Sequence, residues 1–393
     1  MSFYVSWSPD LLTYDFGFGH PMAPLRLDLT MRLSEELGLL ADPAVHIFQS
    51  EVASDDLLAT VHTRAYIGAV KAAGERHEVD EASGLGTEDN PNFPNMHQAA
   101  ARMVQATVDS TVAVWEGVAE HAINLSGGMH HAMRGAASGF CIYNDAAVAI
   151  QDLLDRGAER VMYLDIDAHH GDGVEKIFWD DPRVLTFSIH QSGTSLFPGT
   201  GFANETGGPG AKGSAVNLAL PAGTESAQWL RALEGVLEDV VRGFGPQIIV
   251  SQHGCDSHGL DVLSDLHVSV GAQRLAAQLI HDLAHTYCDG KWVALGGGGY
   301  SVVDVVPLVW AYLLAIVSHQ SVDLEAPTPP TWREFVRSYA DHTPPPKMSD
   351  CHGAPSFKRW DSGYDPNNEV DRAIRATRSA VLPLLGVDVS FEV

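Results

Sequence analysis

A parallel α/β sheet covered by helices on both faces is the fold class this sequence predicts, in a single domain, and three observations predict it. Short apolar runs alternate with longer helical patterns along the chain. Four of those runs end in polar, glycine-containing clusters, and open parallel sheets bind ligands at the carboxyl ends of their strands. With 393 residues, 45% of them hydrophobic and 19% charged, the chain can bury a large core.

In chain order, candidate strands run over 121–125, 160–166, 184–189, 247–252 and 291–295. Helical patterns occupy 144–156, 227–244 and 272–287. The longest apolar run, 302–318, contains Asp304 and Pro307 and is short for a membrane span, so it reads as a buried helix. Beyond about residue 320 the prolines at 327, 329, 330 and 344–346 mark an irregular tail, ending in an amphipathic pattern over 370–385. Residues 1–320 are therefore expected to form the main domain and 321–393 an extension packed on it. No internal repeat is found.

A net charge of −26 argues against binding nucleic acid through phosphates and favours cationic peptides or polyamines; solubility alone explains it equally well. The cysteines at 141, 255, 288 and 351 show no C-x-x-C spacing, so free thiols in a reducing compartment are expected. The N-terminus lacks a basic region followed by an apolar core, so the expected location is the cytoplasm.

The densest chemistry lies in 164–173, L-D-I-D-A-H-H-G-D-G, directly after an apolar run. Strand alternation would point Asp165, Asp167 and His169 the same way. Ionisable groups at the end of a buried strand are costly unless paired, and a divalent metal is the simplest partner. Asp167, His169 and Asp256 offer O, N and O ligands, leaving a position for water as catalytic zinc sites do. An Asp/His/Asp site also suits Fe(II). Two carboxylates weaken the metal's acidifying power, so an auxiliary base is needed, and His130 and His131 are candidates. Asp165 and Asp172 are spare carboxylates that can orient them. Tyr300, on a four-glycine loop, can reach over the site and donate to an oxyanion.

Blander readings compete with some of these. A tandem His pair taken alone is more often structural. The loop Gly296–Gly299 lacks a following G-K-[ST], which argues against a phosphate cradle. Cys141 and Cys255 read as small buried groups, and His170 as a residue that holds its loop.

Together the motifs resemble the zinc-dependent histone deacetylase superfamily. The resemblance rests on G-G-M-H-H-A (127–132), A-S-G-F-C-I-Y-N-D (137–145), Y-L-D-I-D-A-H-H-G-D-G-V (163–174), F-P-G-T-G (197–201), Q-H-G-C-D (252–256) and L-G-G-G-G-Y (295–300). Upstream, Y-D-F-G-F-G-H-P-M-A-P-L-R (14–26) and V-H-T-R-A-Y (61–66) extend it. Within the superfamily the chain most resembles the bacterial acetoin-utilisation deacetylases. The resemblance implies an arginase/deacetylase-like fold with a narrow tunnel to zinc. It matches Asp167, His169 and Asp256 to the metal ligands, His130 and His131 with Asp165 and Asp172 to the tandem bases, and Tyr300 to the catalytic tyrosine. Gly139, Phe140 and Phe197 match tunnel walls, and Asp89 matches a rim aspartate, although Asn90 stands where a cysteine is usual.

A structural potassium site is also implied, at Asp165, Asp167 and His169 with Ser188 and Ile189; a second near Phe178 is less well matched, at Asp181 and Ala215. The implied reaction is hydrolysis of N-acetyl-lysine in proteins, acetyl-coenzyme A synthetase among them, linked to acetoin and acetate metabolism. The alternatives are an acetylpolyamine amidohydrolase, a two-manganese ureohydrolase and a non-catalytic acyl-lysine binder; the full set of catalytic residue types argues against the last. No membrane or nucleic-acid partner is expected.

Overall fold

The computed structural model describes residues 2–76, 78–340, 342–350 and 355–389. Cys351 lies outside them. The strands are β1 (Phe3–Ser6), β2 (Val45–Phe48), β3 (His121–Asn124), β4 (Val161–Asp165), β5 (Val184–Gln191), β6 (Ala215–Leu220), β7 (Ile248–Gln252) and β8 (Trp292–Leu295). They form one sheet in the order β2-β1-β3-β8-β7-β4-β5-β6, with every pairing parallel. The main helices are α1 (Leu25–Glu36), α2 (Asp55–Leu58), α3 (Arg64–Arg76), α4 (Met96–Trp115), α5 (Asp145–Asp155), α6 (Asp172–Phe178), α7 (Ser226–Phe244), α8 (Val270–Tyr287), α9 (Val306–Val317), α10 (Pro330–Ala340) and α11 (Glu369–Val381).

Strand alternation divides the core in two. On β4, Met162 and Leu164 join the side packed by α1, α7, α8 and α9, whereas Val161 and Tyr163 join the side packed by α3, α4 and α5. Burial on both faces makes these strands read as continuous apolar runs. The five strands expected from the sequence are all present, with ends shifted by a residue or two. Helix α9 buries every one of its 12 residues, matching the expected buried helix. Among the described residues, no helix is long and apolar enough to cross a membrane.

The tail is more ordered than its prolines suggest. Pro330 opens α10, where a missing N–H costs nothing. Trp332 on α10 is fully buried and donates its indole N–H to the Leu29 carbonyl at 2.9 Å. Helix α11 packs on β6 and α7. Its Asp371 takes a two-pronged bond from Arg231 at 2.7 and 2.8 Å, both side chains being buried.

The register positions the site. Asn124 pairs with Leu295, Leu295 with Gln252, and Gln252 with Asp165. Four adjacent strands thus end level with one another, and the four polar clusters leave the sheet side by side.

Candidate active site

Strand β4 stops at Asp165, so simple alternation does not govern residues 166–169. Asp165 turns toward His130, whose Nδ1 lies 2.7 Å from Asp165 Oδ2. The same oxygen accepts the Tyr163 hydroxyl at 2.9 Å. Asp167 turns the other way, to His169 and Asp256. The expected common direction of Asp165, Asp167 and His169 therefore splits into two roles, because the chain bends after residue 165 and Asp165 Oδ1 takes the Asp167 N–H at 3.1 Å.

Asp167, His169 and Asp256 are buried and bring one donor atom each within 4.8 Å of the others. His169 Nδ1 sits 3.1 Å from Asp167 Oδ1 and 2.9 Å from Asp256 Oδ2. The two carboxylates are fixed from outside. Asp167 Oδ2 accepts from Gln252 Nε2 at 2.7 Å and from the Gly298 N–H at 2.9 Å, and Asp256 Oδ1 accepts the Ala168 N–H at 2.8 Å. Residue 298 must be glycine, since a Cβ there would lie 2.3 Å from Asp256 Oδ2 and 2.7 Å from Asp167 Oδ2.

Two buried carboxylates this close are costly unless a cation joins them. Burial, reinforced by the Asp167 charge, pushes Asp256 up to about 7. Burial opposes charge on His169, yet Asp256 and Asp167 carry it up to about 10. Two oxygens and one imidazole nitrogen suit a divalent metal with a position left open, so the donor set fits the metal its pattern implies.

Beside this cluster, His130 and His131 lie with ring centres 3.9 Å apart and planes tilted by 52°. His131 Nδ1 is 2.6 Å from Asp172 Oδ1, at the start of α6, which leaves Nε2 facing the cavity. The pair is split electrostatically. Burial opposes charge on His130, but Asp165 and Asp167 raise it to about 9. Burial, reinforced by the His130 charge, lowers His131 to about 4 despite Asp172. His131 is thus the neutral member, able to accept a proton.

A cleft of about 240 Å³ opens above, lined by Asp89, His131, Gly139, Phe140, His169, Leu196, Phe197, Leu263 and Tyr300. All four expected substrate-contacting residues border it: Gly139, Phe140, Phe197 and Asp89, the last exposed at the rim. Gly139 has φ +50, and a Cβ there would meet His131 Cδ2 at 2.5 Å. Phe140 also adopts a positive φ, 68°, and its ring meets Tyr300 edge-on at 5.6 Å. Phe197 faces His131 edge-on at 5.0 Å.

Sequence reasoning missed several supports. Leu196 and Leu263 complete the apolar wall. Asp261 accepts the Tyr300 N–H at 2.7 Å. Arg26 donates to the carbonyls of Gly297 and Gly299, both at 3.0 Å, and so pins the glycine loop that carries Tyr300. Tyr14 donates its hydroxyl to the Phe140 carbonyl at 2.7 Å. Arg26 and Tyr14 lie in the upstream motif 14–26, which gave a signal but no role. His170 does hold its loop, with Nδ1 2.9 Å from Thr200 Oγ1 and Nε2 3.2 Å from Glu175 Oε2. Cys141 and Cys255 are buried, and burial pushes both thiols up, away from nucleophilic chemistry. Ser188 pairs with Asp165 across β4 and β5, and its hydroxyl is bonded to His190 Nδ1 at 2.8 Å.

The histone deacetylase domain matches residues 20–317. The chain belongs to the histone deacetylase family. It is 44% identical over 329 residues to the acetoin utilization protein AcuC of Bacillus subtilis, covering 83% of this chain and 84% of that protein. It is 37% identical over 353 residues to the AcuC of Staphylococcus xylosus, covering 88% and 89%. An HDAC homologue from Aquifex aeolicus superposes with a TM-score of 0.82 at 26% identity, over 96% of this chain and 100% of that one. An HDAC homologue solved with SAHA gives 0.82 at 27%, over 96% and 99%. As a histone deacetylase family member, the protein falls among the deacetylase hydrolases.

Proposed function

We propose that the protein hydrolyses the acetamide of N-acetyl-lysine side chains in proteins, using a divalent metal, zinc or iron(II), held by Asp167, His169 and Asp256. One observation carries this reading: an apolar cleft of about 240 Å³ with His131, His169 and Tyr300 among its lining residues. Acetylation removes the lysine charge, so the neutral stem suits a wall made of Phe140, Phe197, Leu196 and Leu263.

The bound metal would supply Lewis acidity toward the acyl oxygen and the attacking water. His131 takes a proton from that water at Nε2, since Asp172 occupies its Nδ1. The charge on His130, matched by Asp165, helps keep His131 neutral beforehand. Tyr300 donates its hydroxyl to the oxygen that gains negative charge. His131 then returns the proton to the leaving amine, giving lysine and acetate. Asp89, exposed at the rim, receives backbone N–H groups of the substrate. Asp165, Asp167 and His169 with Ser188 and Ile189 would hold a structural potassium ion.

The physiological target we propose is an acetylated metabolic enzyme in the cytoplasm, such as acetyl-coenzyme A synthetase. The acetoin-utilisation names of the relatives support that setting. Residues 321–393 serve as an extension of a catalytic domain spanning 1–320, a reading supported by the packing of α10 and α11. The net charge of −26 also suits acetylpolyamines, which are the second reading. The test is acetate release from acetyl-lysine peptides and from N-acetylputrescine, with the metal content of the enzyme measured. Faster release from peptides is expected. Equal or faster release from N-acetylputrescine would select the second reading, and no release by metal-loaded enzyme from either would defeat both.

A further inference from the structure

A second group of potential ligands lies at the opposite, amino-terminal end of the sheet. His121 opens β3, His281 and His285 stand one turn apart on α8, and His319 follows α9 by two residues. Spacing of four places the two α8 histidines on one helix face. One ring nitrogen from each of the four residues lies within 4.8 Å of the others.

The ring spacing matches what a coordination shell requires. The six centre-to-centre distances are 5.1, 5.1, 5.0, 4.5, 5.0 and 5.5 Å. Four imidazoles bound tetrahedrally to one ion at about 2.1 Å place their ring centres roughly 5 Å apart. His319 reaches this position from a left-handed backbone, φ +54, a conformation uncommon outside glycine.

Two further observations point to a ligand. His121 is fully buried, its Nδ1 lies 2.8 Å from the Val317 carbonyl, and its Nε2 has no hydrogen-bond partner. A backbone carbonyl on one ring nitrogen fixes the tautomer that leaves the other as a bare electron pair. Next to it, Glu120 Oε2 is buried without a partner, while Oε1 lies 3.9 Å from His285 Nε2.

The outer contacts also match a metal site. Asp282 Oδ1 lies 3.0 Å from His281 Nδ1, which frees Nε2 to face His319 Nε2 at 3.0 Å. Trp292 and Phe3 cover the inner side, and burial with neighbouring imidazoles lowers His121 to about 3, so it presents the neutral form. His285 and His319 are exposed, which leaves an entry path.

We propose that His121, His281, His285 and His319 form a second metal site, which binds a zinc-like divalent transition ion and ties α8 and the end of α9 to β3. Four neutral imidazoles leave the ion's charge uncompensated, and Glu120 and Asp282 supply the nearby negative charge. The site stands apart from the proposed reaction and holds whether or not that reading does.

The test uses the full chain stripped of metal, reloaded with zinc and passed through gel filtration in metal-free buffer. Wild type is expected to retain two zinc ions per chain, and the His285→Ala, His319→Ala double variant one, with acetate release within about twofold of wild type. Cobalt(II) titration should show tetrahedral visible bands from two sites in wild type and one in the variant. Equal zinc content in wild type and the double variant overturns the proposal, whatever the active-site cluster retains. Should the double variant fail to fold, the single exposed change His319→Gln decides. At least a tenfold loss in affinity for the second equivalent is expected, and an unchanged affinity overturns the proposal.

Discussion

Histidines keep different company at the two ends of this sheet. At the carboxyl ends, His130 lies against Asp165, His131 against Asp172, and His169 against Asp167 and Asp256. At the amino ends, four imidazoles pack mainly against one another, with Asp282 and Glu120 at the edge. The consequence appears in the charge states. Carboxylate neighbours overcome burial and raise His130 to about 9 and His169 to about 10, while burial lowers His121 to about 3. At the carboxyl ends the acids set neighbouring rings apart: His130, beside Asp165, carries charge, whereas His131 is kept neutral and can take a proton. At the amino ends fewer acids reach the rings, which suits holding an ion and moving no proton. Where the acids lie, more than the number of rings, decides whether a histidine cluster can also shuttle a proton.

The sharpest way to break that contrast is to remove a ring from the carboxyl end. His131→Ala should lower kcat/KM by on the order of 10² to 10⁴, the usual worth of a positioned base, with zinc content unchanged. A loss below tenfold would move the proton-accepting role to His130 and undo the division of labour argued from Asp172.

Next in size is Tyr300→Phe. Removing one donor to a developing oxyanion should cost on the order of 10² to 10³ in kcat, with a small change in KM. Arg26 and Asp261 hold the backbone around residue 300, so the phenylalanine ring should keep its place against Phe140. Unchanged turnover would remove Tyr300 from the reaction and leave it a wall residue. Its contrast is with the amino end, where no side chain is asked to stabilise a transition state.

These two ends were unequally legible in the sequence. The carboxyl end could be read because each of its clusters follows a recognisable apolar strand. Local pattern could not supply the strand order that makes β3, β8, β7 and β4 neighbours, since parallel pairing joins residues far apart in the chain. Nor could it place β1 and β2, four residues each, or β6, whose Asn217 interrupts the apolar run. The helix α10 was hidden by its prolines, although Pro330 sits where a helix tolerates one. The amino end left a weaker trace. His281 and His285 share helical spacing, but His121 and His319 join them only through the packing of α8 and α9 against one another and of α9 against β3. The bend after Asp165 shows the same limit at short range. Alternation predicts one direction for Asp165 and Asp167, and the end of the strand gives them two.

The smallest predicted effect probes the acid at the edge of the imidazole cluster. Glu120→Gln keeps the size of the side chain and removes its charge. If the four-histidine site depends on a nearby carboxylate to offset the ion, zinc affinity for the second equivalent should fall about tenfold, the low end of what outer partners of metal ligands contribute. Competition against a zinc chelator of known affinity would measure it. Acetate release should be unaffected, because Glu120 lies at the other end of β3 from the proposed active site. An affinity that holds or rises would mean that four neutral rings suffice alone. The comparison between the two ends would then reduce to what the acids do for protons, since they would be doing nothing for the ion.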